Sequence, residues 1–164
     1  MSLKVKITRM TAVTGVHNLL QLRLALDAAL PLAGLDTTED GLIDFVLVTP
    51  FRMSRLNALH LHHEGTTDVI TYDWRGQAAL GPAAGETPLA EIFICPQVAR
   101  EYARQLGTTA SHELLLYAVH GLLHLAGEDD LDEASRRSMR AAESRVMSAL
   151  EARLGPMPDF LTEK

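Results

Sequence analysis

Metal-ligating residue types are concentrated in one run of the chain: His120, Gly121, Leu122, Leu123, His124, Leu125, Ala126, Gly127, Glu128, Asp129 and Asp130. Two histidines four apart on a helix project from one face, because four residues are slightly more than one turn. Gly127 can end such a helix in a left-handed conformation and fold the chain back, so that Asp130 approaches the imidazoles. Two imidazoles and a carboxylate then converge, with protein ligands on one side and room for water on the other. That is the pattern of a transition-metal site. Histidines satisfied by hydrogen bonds alone are the competing interpretation, and the glycine and carboxylate at these offsets favour a metal.

The histidine helix must be central. Leu114, Leu115, Tyr117, Ala118, Leu122 and Leu123 make it apolar nearly all round, and Thr108, Thr109 and Ser111 offer caps for its start. Alternation and compact β-branched runs predict strands over Lys4–Thr8, Leu42–Val48, Asp68–Tyr72 and Glu91–Cys95. Leu19, Leu22, Leu26, Leu30 and Ala33 keep helical spacing up to a stop at Gly34. Pro96 opens a helix to Leu106, and a last helix runs from Asp132 to about Leu154 with Met139, Ala142, Val146 and Ala149 inward. The Gly-, Ala- and Pro-rich stretch from Gly76 to Pro88 reads as a loop. The expected architecture is one α+β domain over residues 1–154, with a loose tail over 155–164.

At 164 residues and 47% apolar composition, the chain is long enough to bury a sizeable core. Its start lacks the apolar stretch of a secretory signal, and the leucine-rich segment Leu19–Leu32 carries Arg23 and Asp27 and is too short to span a bilayer. With Cys95 as the sole cysteine, no internal disulfide is possible, and a cytoplasmic, membrane-free setting is expected. A net charge of −6 argues against a duplex-DNA binder relying on a general positive field. A local basic groove is compatible with it. Arg136, Arg137, Arg140 and Arg145 cluster after the metal run, and Arg52 and Arg55 form a smaller group. Such a cluster suits a solvated helix face balanced by Glu133 and Glu143, or contact with a polyanion. His60, His62 and His63 read as surface or cleft-rim residues, Cys95 as a buried small hydrophobe, and Tyr72 and Trp74 as core packing rather than base stacking.

The spacing His-x-x-x-His-x-x-Gly-x-x-ligand is shared with the metzincin peptidases, whose helix carries glutamate directly after the first histidine as general base. Here that position is Gly121. Peptidase activity therefore drops to a minor alternative.

The run from His120 to Asp129 resembles the signature His-Gly-x-Leu-His-Leu-x-Gly-x-Asp of the YbeY endoribonuclease (rRNA maturation factor) family. Leu56 and Asn57, followed by Thr67, Asp68, Val69, Ile70, Thr71 and Tyr72, are similar to its Leu-Asn…Thr-Asp-Val-Leu-Ser-Phe segment. The stretch Leu89–Ile94 is similar to its Leu-Gly-Asp-Ile-x-Ile strand. The resemblance implies a small mixed sheet packed by helices, with zinc in a shallow cleft. It also implies hydrolysis of single-stranded RNA in small-subunit 3′-end maturation and ribosome quality control, with ribosomal RNA and the small subunit as partners. Carried over by position, the metal ligands are His120, His124 and residue 130, where the family usually has a third histidine and this chain has Asp130. The family's arginine four residues after the asparagine is Leu61 here.

Exchanging an imidazole for a carboxylate lowers the site's charge by one and weakens the metal as a Lewis acid. Two histidines and a carboxylate also admit Fe(II), Mn(II) or Co(II) beside zinc. Losing the arginine removes a bidentate phosphate partner, for which Arg52, Arg55 or a nearby histidine is the expected substitute. Proton transfer has Asp129, Glu128 and His112 as candidates, although Asp129 equally suits a turn after Gly127. Arg52, Arg55, Arg136 and Arg140 are the candidate RNA contacts. The alternative to an enzyme is a non-catalytic ribosome-assembly or RNA-binding factor that keeps a structural metal.

Overall fold

Strands and helices alternate along the first half of the chain and helices close it. In the computed structural model, which describes residues 2–59, 69–75 and 88–164, the order is β1 (Leu3–Arg9), α1 (Leu19–Leu32), β2 (Gly41–Leu47), α2 (Pro50–Leu59), β3 (Val69–Asp73), β4 (Ala90–Ile94), α3 (Pro96–Leu106), α4 (Ala110–Leu125) and α5 (Glu133–Leu154). The sheet order is β1-β2-β4-β3, with β1, β2 and β4 parallel and β3 antiparallel on the edge. This is the α+β fold with a small mixed sheet. The stretch 60–68, with His60, His62, His63, Leu61 and Asp68, lies outside the described residues, as does most of the expected loop after Gly76.

Alternation along each strand sends successive side chains to opposite faces. Ala90, Ile92 and Ile94 of β4 join the main core with α1, α3, α4 and α5, whereas Ile70 of β3 joins Met53 and Leu56 of α2 and the buried Cys95 on the other face. Helix α4 is buried almost throughout, from Ala110 to Leu125. It lies so close to the sheet that a Cβ on Gly121 would stand 2.7 Å from Ile92 Cγ2 and 3.1 Å from Thr71 Oγ1. Only glycine permits that approach.

Helix α2 was not anticipated from the sequence. Its start follows ordinary capping chemistry: Thr49 Oγ1 accepts from Arg52 N at 3.2 Å and Pro50 opens the first turn. Only Met53 and Leu56 are buried along it, so no helical periodicity announces it. Trp74, expected in the core, is 38% exposed and stacks on Tyr72 with 5.3 Å between ring centroids and 8° between planes.

The segment after Gly155, expected to be loose, is docked. Phe160 and Leu161 are buried, Leu161 bridges to Val16, and both their backbone N–H groups donate to Ser111 Oγ, at 2.8 and 3.1 Å. The buried guanidinium of Arg100 donates to the carbonyls of Thr14 and Thr162, clasping both chain ends. Ser111→Ala removes the shared acceptor from two buried donors and is expected to cost about 1–3 kcal/mol. The urea midpoint at unchanged slope measures this, and a wild-type midpoint would contradict it.

Candidate metal centre

Thr109 Oγ1 accepts from His112 N at 3.0 Å and starts α4. At the other end Gly127 takes a φ of +105°, Gly127 N donates to the His124 carbonyl and Glu128 N to the Leu123 carbonyl. This paired bonding, with glycine just past the last turn, is the Schellman closure. It reverses the chain so that Asp130 returns over the helix face bearing His120 and His124.

The three ligand-type atoms meet. His120 Nε2 and His124 Nε2 are 2.9 Å apart, and Asp130 Oδ2 lies 3.5 Å from the first and 3.7 Å from the second. The imidazole planes are nearly perpendicular, at 85°. All three residues are half-buried, so the centre has one open side.

The ring nitrogens on the far side decide what the near ones can do. His120 Nδ1–H donates to Glu143 Oε2 at 2.6 Å, and His124 Nδ1–H donates to the Glu128 carbonyl at 3.0 Å. A carbonyl only accepts, so the His124 hydrogen belongs on Nδ1, and a carboxylate imposes the same tautomer on His120. Both Nε2 atoms are then lone-pair donors facing each other, with a carboxylate oxygen beside them. Such a trio repels itself unless a cation lies among it. A triangle with these three sides has a centre about 2.0 Å from each corner, the ordinary length of zinc–imidazole and zinc–carboxylate bonds. The donor set fits a divalent cation.

The other candidates are distributed unevenly. Asp129 Oδ1 accepts from Leu131 N at 3.3 Å, a turn-forming contact. Glu128 gives its carbonyl to His124, while its carboxylate accepts from Ser138 Oγ at 3.4 Å. His112 is exposed and stands eight residues before His120, about 12 Å along the helix at 1.5 Å per residue. The fold does not bring it to the centre. Arg136 reaches the Asp130 carbonyl at 3.4 Å, and Arg140 lies one turn before Glu143 on the same helix. Arg52 and Arg55 are exposed on α2, across the sheet from α4, with the Arg55 guanidinium 5.9 Å above the Phe51 ring.

Glu143 is the site residue that sequence reasoning assigned elsewhere, as a surface counter-charge for the arginines. A faint signal existed. Position 143 follows Ala142 and precedes Val146 by three, on the flank of the buried stripe Met139, Ala142, Val146 and Leu150.

The helix carrying Glu143 begins at Asp132, whose Oδ1 accepts from Ser135 N at 2.7 Å. This bond, with the Ser135 hydroxyl, holds the Asp132 pKa below its ordinary value. A depressed folded-state pKa contributes stability that is present above the unfolded value and lost as pH falls through the folded one. Asp132→Asn keeps an acceptor but cannot titrate. Wild type is therefore expected to lose more urea stability between about pH 5 and pH 3 than the variant does. Equal losses would show that the cap contributes nothing to acid sensitivity.

Known proteins resemble this chain in sequence and in fold. The family profile described as Endoribonuclease YbeY matches residues 11–151. Relatives named Endoribonuclease YbeY include one from Elusimicrobium minutum, 33% identical over 110 residues that cover 67% of this chain and 75% of the relative. One from Micrococcus luteus is 34% identical over 116 residues, covering 68% and 72%. One from Frankia casuarinae is 29% identical over 141 residues, covering 83% and 70%. The solution structure of a Thermotoga maritima protein superposes with a TM-score of 0.57 at 20% identity, covering 93% of this chain and 91% of that one, a likeness of fold.

Proposed function

The chain belongs to the endoribonuclease YbeY family, and from that membership we propose that it is a metal-dependent endoribonuclease whose centre is His120, His124 and Asp130. The observation that supports this most is the meeting of three ligand atoms within 3.7 Å of one another, with both Nδ1 hydrogens already committed. The substrate is single-stranded RNA. The process is late maturation of ribosomal RNA, at the small-subunit 3′ end, together with ribosome quality control. Its partners are then ribosomal RNA and the small subunit, and its place is the cytoplasm. No helix among the described residues is long and apolar enough to cross a membrane.

A bound divalent cation supplies Lewis acidity toward a phosphoryl oxygen or a water molecule. Zinc suits the donor set, as do iron, manganese and cobalt. The chain's own residues do the rest. Glu143 and the Glu128 carbonyl hold the two imidazoles with Nε2 inward. Asp130 adds a negative charge, which makes the centre a milder acid than three histidines would. Arg136 and Arg140 stand on α5 beside Asp130 and Glu143, where a phosphate of the bound strand meets them. Arg52 and Arg55 serve a more distant stretch of RNA, from α2. Proton transfer falls to Glu128 or Asp129 on the Gly127 turn, because His112 is two turns away.

The residue after the first histidine weighs against proteolysis. Gly121 faces the sheet at Ile92 and Thr71 rather than the open side of the centre, so a base at that position could not reach a substrate.

The test is a small-subunit rRNA precursor with an extended 3′ end, presented single-stranded and as a duplex with a complementary strand. Metal-loaded protein is expected to cut the single-stranded extension and spare the duplex. Retention of the RNA without cleavage would favour a non-catalytic assembly factor.

A further inference from the structure

The two histidines are oriented by different means. His124 is held by the Glu128 carbonyl, which the Gly127 turn brings back along the same run of chain. His120 is held by Glu143, 23 residues later and on another helix. The Glu143 side chain is 15% exposed and that of His120 22%, so their 2.6 Å contact is largely shielded from water. Arg140 lies one turn away on α5, yet among the described residues no ion pair joins Glu143 to an arginine. The carboxylate is committed to the imidazole. Its backbone is fixed as well, since the neighbouring Ala142 and Val146 are buried against the core.

We propose that Glu143 is a positioning residue of the centre: by accepting the Nδ1 hydrogen of His120 it fixes that ring with Nε2 inward, so that helix α5 sets the metal affinity. The proposal rests on the metal-centre reading given above. An imidazole lacking such a partner rotates and exchanges tautomers, and part of the time presents a protonated Nε2 that cannot bind a cation. A hydrogen-bonded carboxylate removes both losses and makes the ligand nitrogen more basic. The reach is specific. Aspartate, one methylene shorter, falls short of Nδ1 from a fixed backbone, whereas the glutamine amide oxygen accepts at the same distance.

Zinc competition against a chromophoric chelator on full-length Glu143→Ala, Glu143→Asp and Glu143→Gln, with the absorption spectra of their Co(II) forms, tests this. Alanine and aspartate are expected to lower zinc affinity about 10–100-fold and to alter the Co(II) bands, while glutamine stays within several-fold of wild type with its bands preserved. Wild-type affinity and spectrum in the alanine variant would overturn the proposal. If the alanine variant fails to fold, equal affinities of the aspartate and glutamine variants would overturn it. His120→Ala runs alongside. Loss of binding there with none in Glu143→Ala overturns the role of Glu143 alone, and unchanged binding in His120→Ala overturns the metal centre and this proposal together.

Discussion

His120→Ala is expected to abolish stoichiometric zinc binding and to slow cleavage of single-stranded RNA about a thousandfold. Nε2 of His120 is the common corner of the site, 2.9 Å from His124 Nε2 and 3.5 Å from Asp130 Oδ2. Removing it leaves two ligands, one of them a carboxylate that water solvates well. Lewis-acid stabilisation of a phosphoryl transition state amounts to several kcal/mol, and about 4 kcal/mol corresponds to three orders of magnitude in rate. The loss should be specific to the site. His120 is only half-buried, so the variant should fold, with a far-ultraviolet spectrum like that of wild type. Metal content by elemental analysis and initial rates on a labelled oligoribonucleotide are the readouts. Wild-type rates from the variant would move catalysis away from this centre.

Gly121→Glu is expected to destabilise the protein severely rather than to create a peptidase. The substitution restores the glutamate that metzincin helices carry after their first histidine. Here its Cβ would meet the branched side chain of Ile92 at 2.7 Å, and its carboxylate would be driven into the layer between α4 and the sheet. Overpacking and an unpaired buried charge act in the same direction, and the charge alone costs about 3–5 kcal/mol. In a chain of this size that lowers the thermal midpoint by roughly 6–20 °C. Thermal melting followed by circular dichroism reads it directly. A midpoint near wild type would mean that α4 moves off the sheet at little cost, and the assignment of Gly121 as a packing glycine would fall.

Local chemistry made much of this protein legible. Thr109 and Gly127 mark the ends of α4 because caps act within about four residues, and the three ligand-type residues all fall within the short run 120–130. The inward stripe of α5 was readable to within one position, with Leu150 buried where Ala149 had been expected. What escaped depends on distant partners. Glu143 matters because α5 packs beside α4, which no spacing near residue 143 encodes. Ser111, read as a possible cap, instead holds Phe160 and Leu161 from the far end of the chain. The final segment looked loose because it is short and carries Pro156 and Pro158, but two buried apolar residues and the Arg100 clasp tie it down. Helix α2 was hidden because its apolar residues announce no single inward face, Phe51 and Leu59 being exposed while Met53 and Leu56 are buried, although Thr49 and Pro50 did mark its start.

The proposed metal centre of His120, His124 and Asp130 ties RNA cleavage to a bound ion. The most direct measurement is cleavage of single-stranded RNA by wild-type protein before chelation, after removal of metal, and after return of one equivalent of zinc. Activity is predicted to vanish with the metal and to return at one ion per chain. Cleavage that persists in metal-free protein would contradict the account.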